Sequence, residues 1–312
     1  MNVDNIPRRR LLKTLALSPL CFNQLLYGEP HSESARRSDV IPIGGVPTLV
    51  VDGEPIRSAA FETYGPQLRH FKQFADADTE VFGFSTNAAA CDYGHSRTTW
   101  VDSETWDYAQ FDERAALILQ ARPDAMILPR VNLGTPRWWL TDHEDELELF
   151  DDGSTVPRGD NPTLPRDRAF PSFASRKWRK DIGDALERLI RHVRGTRFGP
   201  RVIGWLLSGG HTEEWYHWSC NTPRPAGYSV HTRDAFRRWL SVKYGDDQSL
   251  QEAWHHPHVT LSNAQVPAAE ERRRSGNTGF RDPATQMNVI DFYLFWNELI
   301  PETIDHFAGV VS

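Results

Sequence analysis

Apolar runs that suit buried strands alternate along most of the chain with stretches whose apolar residues recur at helical spacing. The runs predict four strands, over residues 58–64, 79–85, 125–133 and 201–207. The helical stretches predict helices over residues 67–75, 108–121, 172–193, 234–244 and 289–307. A small hairpin is predicted ahead of them, because Asp52-Gly53 separates two short strand-like segments and is a strong two-residue turn signal.

The alternation of strands and helices predicts an α/β fold built from right-handed βαβ units. A (β/α)₈ TIM-type barrel is favoured, with a doubly wound open sheet as the alternative. No GxGxxG, Walker or GxSxG motif follows any predicted strand, which removes the usual signals of the open sheet. Only four βα units are found, and long insertions at residues 140–170 and 219–285 take up the remaining length. The chain is therefore expected to be the N-terminal part of a longer barrel, with two unpaired sheet edges and an uncovered apolar face.

The N-terminus has the layout of a bacterial export signal. Residues 8–13 read Arg-Arg-Arg-Leu-Leu-Lys and a short apolar stretch follows, which resembles the twin-arginine type. The sequence predicts an export signal over residues 1–30, a linker over 31–45 and the barrel domain over 46–312, with a periplasmic or extracellular location. An amphipathic helix or a basic tail is the alternative.

Charge and composition limit the classes of molecule that the protein could bind. With 35 Lys+Arg against 42 Asp+Glu the formal charge is −7, which argues against nucleic acid. No apolar run approaches the ~20 residues that a membrane span needs. Eleven Trp residues suggest aromatic platforms for a sugar, although buried Trp is the commoner use. Homo-oligomer formation stays open.

No cofactor or metal site is predicted. Cysteine spacing matches no zinc motif, so Cys91 and Cys220 form either one disulfide or two thiols. The histidines at 255–258 and the acidic residues at 142–152 lack zinc and calcium ligand geometry, and both segments are predicted to be exposed loops.

The candidate chemistry lies at residues 209–215, Gly-Gly-His-Thr-Glu-Glu-Trp, directly after the fourth predicted strand. Catalytic residues of a barrel gather at the carboxyl ends of its strands. Acid-catalysed glycoside cleavage needs a carboxylic acid close to the leaving oxygen, and Glu213 or Glu214 beside Trp215 could supply it. The alternative is a solvated Glu-Glu pair in a loop.

Three segments in the same order resemble glycoside hydrolase family 42, the β-galactosidases of the large retaining (β/α)₈ clan. Val-Ile-Gly-Trp at 202–205 leads to a Glu-aromatic pair, as in that family's strand four. Arg-Val-Asn-Leu-Gly-Thr-Pro-Arg-Trp-Trp-Leu at 130–140 is similar to its third strand and following loop. Residues 236–254 carry the most specific match, Phe-x-x-Trp-Leu, Tyr-Gly and Leu-x-x-Ala-Trp.

The resemblance implies a retaining mechanism with a strand-four Glu as acid/base and a strand-seven Glu as nucleophile. Matching the Glu-aromatic pairs makes Glu214 the acid/base, with Glu213 as second choice. The family usually has Asn at the position of Glu213, where it binds the sugar 2-hydroxyl, and His211 and Thr212 are inserted here. Strand seven is not found in these residues, so no nucleophile is named and the chain alone is expected to be inactive.

Further residues are predicted to contact substrate. Trp138, Trp139, Trp215 and Trp218 could stack on sugar rings, although core packing is as common a role for each. Glu62 and Asn87 follow strands one and two and could bind sugar hydroxyls or only hold loops. Arg130 could orient a carboxylate in the barrel mouth or form a structural ion pair, and His211 lies in the candidate turn.

The sequence thus predicts an exported glycoside hydrolase that cleaves a β-linked glycoside, with β-galactoside as the default. A non-catalytic sugar-binding protein on a degenerate or truncated barrel is the main alternative. An unrelated β/α enzyme, in which both glutamates lie on the surface, is the third interpretation.

Overall fold

The centre of the molecule is a parallel sheet whose strands follow one another in chain order. A computed structural model describes residues 36–56, 59–91, 96–155, 169–210, 213–217, 224–273 and 280–311. The strands of the parallel sheet are β4 (Ala60–Thr63), β5 (Val81–Asn87), β6 (Met126–Ile127), β7 (Arg130–Asn132) and β8 (Leu206–Ser208). Their order is β4-β5-β7-β8, and β6 pairs with β5 just ahead of β7. All pairs are parallel, which is the succession of the first four strands of a (β/α)₈ barrel.

Helices cover the outer face of this sheet. The α-helices of the described residues are α1 (Leu68–Asp76), α2 (Ala109–Ala121), α3 (Arg137–Asp142), α4 (Arg176–Arg194), α5 (Val230–Tyr244), α6 (Asp247–Trp254), α7 (Ala269–Arg273) and α8 (Pro283–Val311). Helix α1 packs against α2, and α4 packs against α8. The four predicted strands and five predicted helices are confirmed, with the bounds shifted by a few residues. Helix α6, which carries the end of the family-like motif, was not among the predicted helices.

Two predicted strands are shorter than their apolar runs. The third is divided into β6 and β7 around Pro129, which has no N–H to donate to a ladder. The fourth opens with a 3₁₀ turn at Gly199–Arg201 and a single bridge between Ile127 and Val202 before β8 begins.

The two faces of the sheet differ in polarity. Phe61 stacks on Phe74 of α1 at 3.8 Å between ring centroids, and Phe84 meets Phe111 of α2 at 5.2 Å, so these positions face the helices. Alternate residues of a strand point to opposite faces. The face turned toward the barrel axis therefore carries a mostly polar set toward the carboxyl ends of the strands: Glu62, Gly83, Ser85, Asn87, Arg130, Asn132, Leu206 and Ser208. At the amino ends the same face carries Val81 and Met126, which pack against Val51 and Ile203, so the apolar residue that this face leaves exposed is Leu206, at 47%.

An antiparallel hairpin closes the amino ends of the strands. It consists of β1 (Ser38–Ile43), β2 (Val46–Val51) and β3 (Glu54–Pro55). Asp52 and Gly53 have φ of 53° and 90°, which confirms the predicted two-residue turn between β2 and β3. Val51 packs with Val81 and Met126, the first residues of β5 and β6, and with Ile203, which precedes β8. Strand β1 occupies part of the segment that the sequence assigns to a linker.

Two buried carboxylates tie the segment after β7 to helix starts. Glu148 Oε1 accepts the Ser229 N–H at 3.0 Å, and its Oε2 accepts the Thr232 hydroxyl at 2.5 Å, at the start of α5. Glu146 Oε2 accepts the hydroxyl of Ser175, the N-cap of α4, at 2.5 Å. Carboxylates are favoured at helix N-termini because the first N–H groups have no partner within the helix. Glu146 and Glu148 are 8% and 2% exposed, so the prediction of an exposed acidic loop is wrong at these positions.

The most specific family-like motif converges on one buried carboxylate in α8. Asp291 is fully buried and accepts hydrogen bonds from Lys243 Nζ at 2.5 Å, the Tyr244 hydroxyl at 2.6 Å and Trp254 Nε1 at 2.7 Å. Burial and then the Asp291 carboxylate raise the pKa of Tyr244 far above its ordinary value, so the hydroxyl stays a donor. Gly245 follows with φ 80° and lets the chain turn from α5 into α6. The motif therefore encodes the junction of α5, α6 and α8.

We predict that Asp291→Ala destabilises the domain, because it leaves a partly buried ammonium and two further donors without their acceptor. The expected loss is about 3 kcal/mol in the free energy of unfolding, measured by urea denaturation. Asp305→Ala, an exposed carboxylate on the same helix, is the control and should change it by less than about 0.5 kcal/mol. Equal effects of the two substitutions would contradict this account of the motif.

Candidate active site

A tight turn follows β8 at the carboxyl edge of the sheet. Gly209 and Gly210 start it, and Trp215 N donates to Gly209 O at 2.7 Å. A Cβ on Gly209 would lie 2.9 Å from the Trp215 ring, and Gly210 has φ 72°, so both positions require glycine. Trp215 Nε1 donates to Leu207 O at 3.2 Å, which holds the indole over the end of the strand. The predicted sugar platform is thus half-buried packing for the turn.

The two adjacent glutamates of this turn have different environments. Glu213 is 2% exposed, its Oε1 accepts a hydrogen bond from Cys91 Sγ at 3.4 Å, and its backbone O accepts one from Arg130 Nη2 at 3.3 Å. Glu214 is exposed. Glu213 and Trp215, on either side of Glu214, have φ of 63° and 58°, which is uncommon for residues other than glycine. The backbone therefore turns one carboxylate inward and presents the next one outward.

Groups from β4 and β7 complete a charged cluster with this turn. The Arg130 guanidinium lies 5.3 Å from the centroid of the Tyr64 ring. Desolvation raises the pKa of Tyr64; Arg130 opposes this, and the negative charges of Glu213, Glu62 and Glu214 add to it. Strands one, three and four of the sheet thus bring these five side chains into electrostatic range of each other.

Glu62 reaches solvent at this rim, but neighbouring barrel atoms partly desolvate its carboxyl. The desolvation raises the pKa of Glu62, and Arg130 acts in the opposite direction. Gly83 lies beside Glu62 on the next strand, where a Cβ would be 3.1 Å from Glu62 Cγ and 2.7 Å from Leu128 O. The absence of a side chain at residue 83 therefore leaves the space in which Glu62 stands.

Buried polar atoms on the inner strands still have hydrogen-bonding capacity. Arg130 Nε, Asn132 Nδ2 and Ser208 Oγ have no hydrogen-bond partner among the residues that the structure describes. Asn132 and Ser208 are paired in register on β7 and β8. Buried polar groups in proteins nearly always bind protein, water or ligand, so this row offers donors to water or to hydroxyl groups.

His217 fixes the far end of the turn. Its ring stacks on Trp296 of α8 with centroids 3.7 Å apart, and its Nε2 bonds the Trp296 carbonyl. Burial lowers the pKa of His217 to about 4, so the imidazole is neutral at physiological pH. The turn is therefore attached to β8 at one end and to α8 at the other.

Asn87 and Trp139 have structural roles where the sequence also allows contact with sugar. Asn87 is 1% exposed, and its side chain donates to Arg97 O at 2.8 Å and accepts from Thr99 N at 3.3 Å, so it holds the loop that follows β5. Trp139 is fully buried and donates to Asp181 Oδ2 at 2.8 Å. Neither side chain is open to a ligand in this arrangement.

The other tryptophans near the rim form a stack of their own. Trp138 is half-buried and donates to Trp100 O at 3.2 Å, and the ring of Trp100 lies parallel to that of Trp106 at 4.9 Å. Arg188 covers Trp106 at 5.2 Å. Trp100, Trp106 and Trp138 thus pack against each other. His211 and Trp218, the remaining candidates, lie outside the described residues, as does Cys220.

Two site residues were not recognised in the sequence. Tyr64 directly follows the first strand, and the rule that selected Glu62 could have found it. Cys91 lies four residues beyond β5, and no local pattern indicates its contact with Glu213, because the contact joins residues 122 positions apart.

Metal and membrane features do not occur in the described ranges. No group of three or more His, Cys, Asp or Glu side chains there could hold a metal ion. The histidines at 255, 256 and 258 are exposed, as predicted. None of the helices described is both long and apolar enough to cross a bilayer.

Comparison with solved structures supports the barrel fold. The β-galactosidase of the haloarchaeon Halorubrum lacusprofundi is 20% identical, with a TM-score of 0.51 over 81% of this chain and 34% of that one. The β-galactosidase of Bacillus circulans sp. alkalophilus is 16% identical, with a TM-score of 0.54 over 81% and 34%. The β-amylase catalytic domain of Paenibacillus polymyxa is 13% identical, with a TM-score of 0.58 over 80% and 61%. The chain thus spans about a third of the length of these β-galactosidases.

Sequence comparison identifies the family. The curated β-galactosidase Bga of Halorubrum lacusprofundi is 27% identical over 150 residues, which are 48% of this chain and 19% of that protein. The profile of glycoside hydrolase family 42, described as β-galactosidase, matches residues 101–261. That match covers more than half of the chain and includes β6 to β8, the turn and the motif at 236–254. The chain therefore belongs to glycoside hydrolase family 42.

Proposed function

We propose that the complete protein hydrolyses a β-linked glycoside with retention of configuration, and that Glu214 is its acid/base residue. A general acid must come within hydrogen-bond reach of the glycosidic oxygen, so it has to be accessible from the barrel mouth. Glu214 meets this requirement, because it is exposed beyond the carboxyl end of β8 and within electrostatic range of Tyr64, which follows β4. Glu213 is enclosed. This difference in exposure is the observation that carries the assignment.

In the proposed reaction, Glu214 donates its proton to the glycosidic oxygen as the bond to the anomeric carbon breaks. A carboxylate on a later strand of the complete barrel attacks that carbon and forms the covalent intermediate. Glu214 then takes a proton from water, which attacks the anomeric carbon and releases the carboxylate. Glu214 and the attacking carboxylate thus both regain their starting protonation states.

The polar inner face supports a hydroxyl-rich substrate. Arg130 Nε, Asn132 Nδ2 and Ser208 Oγ can hydrogen-bond sugar hydroxyls or the waters between them, and Glu62 and Tyr64 stand at the same rim. The β-galactoside is the first substrate to test, because the relatives described above are named β-galactosidases.

We predict that Glu214→Gln in the complete protein lowers kcat for a β-galactoside with a poor leaving group, such as lactose, by about 100-fold or more. The leaving group of an activated aryl galactoside needs less protonation. The rate of the glycosylation step should therefore fall much less for this substrate. Steady-state kinetics on both substrates measure the difference. The exposed Glu104→Gln is the control.

Unchanged lactose turnover in Glu214→Gln would remove Glu214 from the mechanism. A wild-type protein that binds galactosides but hydrolyses neither substrate would instead support the sugar-binding alternative.

We also propose that residues 1–30 direct export through the twin-arginine route. Replacing Arg8, Arg9 and Arg10 by Lys keeps the charge but removes the guanidinium groups, and should leave the protein in the cytoplasm of a bacterial host. Cell fractionation measures this, with Lys13→Arg as the control. An unchanged distribution would contradict the proposal.

A further inference from the structure

Glu213, which the family resemblance aligns with an Asn, is buried in the turn after β8. Its carboxyl group is 2% exposed and contacts the thiol of Cys91, which is itself 8% exposed. This contact joins the carboxyl group of Glu213 to the loop after β5, whereas the next residue, Glu214, is exposed.

The backbone at Glu213 has an unusual conformation and is hydrogen-bonded on both sides. Its N–H donates to Gly210 O at 3.3 Å, its O accepts from Arg130, and its φ of 63° sets the direction in which the next residue leaves. A left-handed conformation is unfavourable at a residue with a side chain and persists only where surrounding contacts enforce it. The buried carboxyl group, held by Cys91, supplies such a contact.

We infer that Glu213 is a positioning residue, and that its contact with the Cys91 thiol holds the turn in the conformation that presents Glu214 to the glycosidic oxygen. The inference rests on the function proposed above. Cys91 faces two charged groups, Glu213 and the buried guanidinium of Arg114 on α2, so it links the turn after β8 to the second βα unit. Glu213 touches neither substrate nor reacting atoms in this assignment.

Kinetics of four variants of the complete protein test the assignment. Glu213→Ala and Cys91→Ala should each lower kcat about tenfold while KM changes less than about twofold, because the acid is misplaced but the sugar contacts remain. Cys91→Ser should retain most of the wild-type kcat, since a hydroxyl also donates to the carboxylate. The double variant Glu213→Ala/Cys91→Ala should be no worse than the worse single one, because both remove the same contact.

The control separates positioning from mere stability. Asp291→Asn also alters a buried carboxylate and should lower the unfolding temperature, but kcat per folded molecule should stay unchanged well below that temperature. A tenfold or greater rise in KM of Glu213→Ala with kcat retained would overturn the inference and make Glu213 a sugar ligand. Additive effects of Glu213→Ala and Cys91→Ala would overturn it as well.

A second readout does not depend on catalysis. A carboxylate next to a thiol opposes thiolate formation, so Glu213→Gln should speed alkylation of Cys91 by iodoacetamide several-fold. Mass spectrometry of the peptide that contains Cys91 measures the rate of alkylation. An unchanged rate would show that the two side chains are not in contact. If Glu214→Gln kept full activity while the alkylation rate rose as expected, the acid/base assignment would fail and the contact would stand.

Discussion

The structure depends on the difference in polarity between the two faces of one parallel sheet. Phenylalanines at 61, 82 and 84 and aliphatic residues at 127, 131 and 207 pack toward the helices, while the residues between them turn toward the barrel axis. Because side chains alternate along a strand, the same run of residues builds the core and lines the mouth. Shifting any strand by one residue would exchange these two sets, so fold and candidate site are specified together.

Buried carboxylates hold the connections outside the sheet. Glu146 and Glu148 hold the starts of α4 and α5, and Asp291 joins α5, α6 and α8. Each of these three carboxylates accepts hydrogen bonds, as buried charges require, and Glu213 in the turn after β8 accepts one from the Cys91 thiol. Asp291 thus binds α5 and α6 to α8, and the turn contacts α8 separately, through His217 and Trp296.

Much of this could be predicted from the sequence, because the elements follow local patterns. Apolar runs gave the four strands, and the position after strand four selected the Glu213–Glu214 turn. What could not be predicted depends on contacts between distant residues. The acidic residues at 142–152 are typical of an exposed loop, and their sequence does not indicate that Glu146 and Glu148 contact two helix N-termini. Likewise, the sequence does not indicate that Asn87 and Trp139 bind residues 97, 99 and 181 and are therefore closed to a sugar. Adjacent glutamates are indistinguishable in sequence, and only backbone direction separates the buried one from the exposed one.

In the proposed function, the carboxyl edge of this sheet holds a sugar with Glu214 at the bond to be cleaved. A crystal structure of the complete protein with a thio-linked β-galactoside, in which sulfur replaces the glycosidic oxygen, tests it directly. The account predicts the Glu214 carboxyl within about 3–3.5 Å of that sulfur, Arg130 and Tyr64 beside the same ligand, and Glu213 still on Cys91. A ligand bound elsewhere, or one whose sulfur faces Glu213 while Glu214 points into solvent, would contradict it.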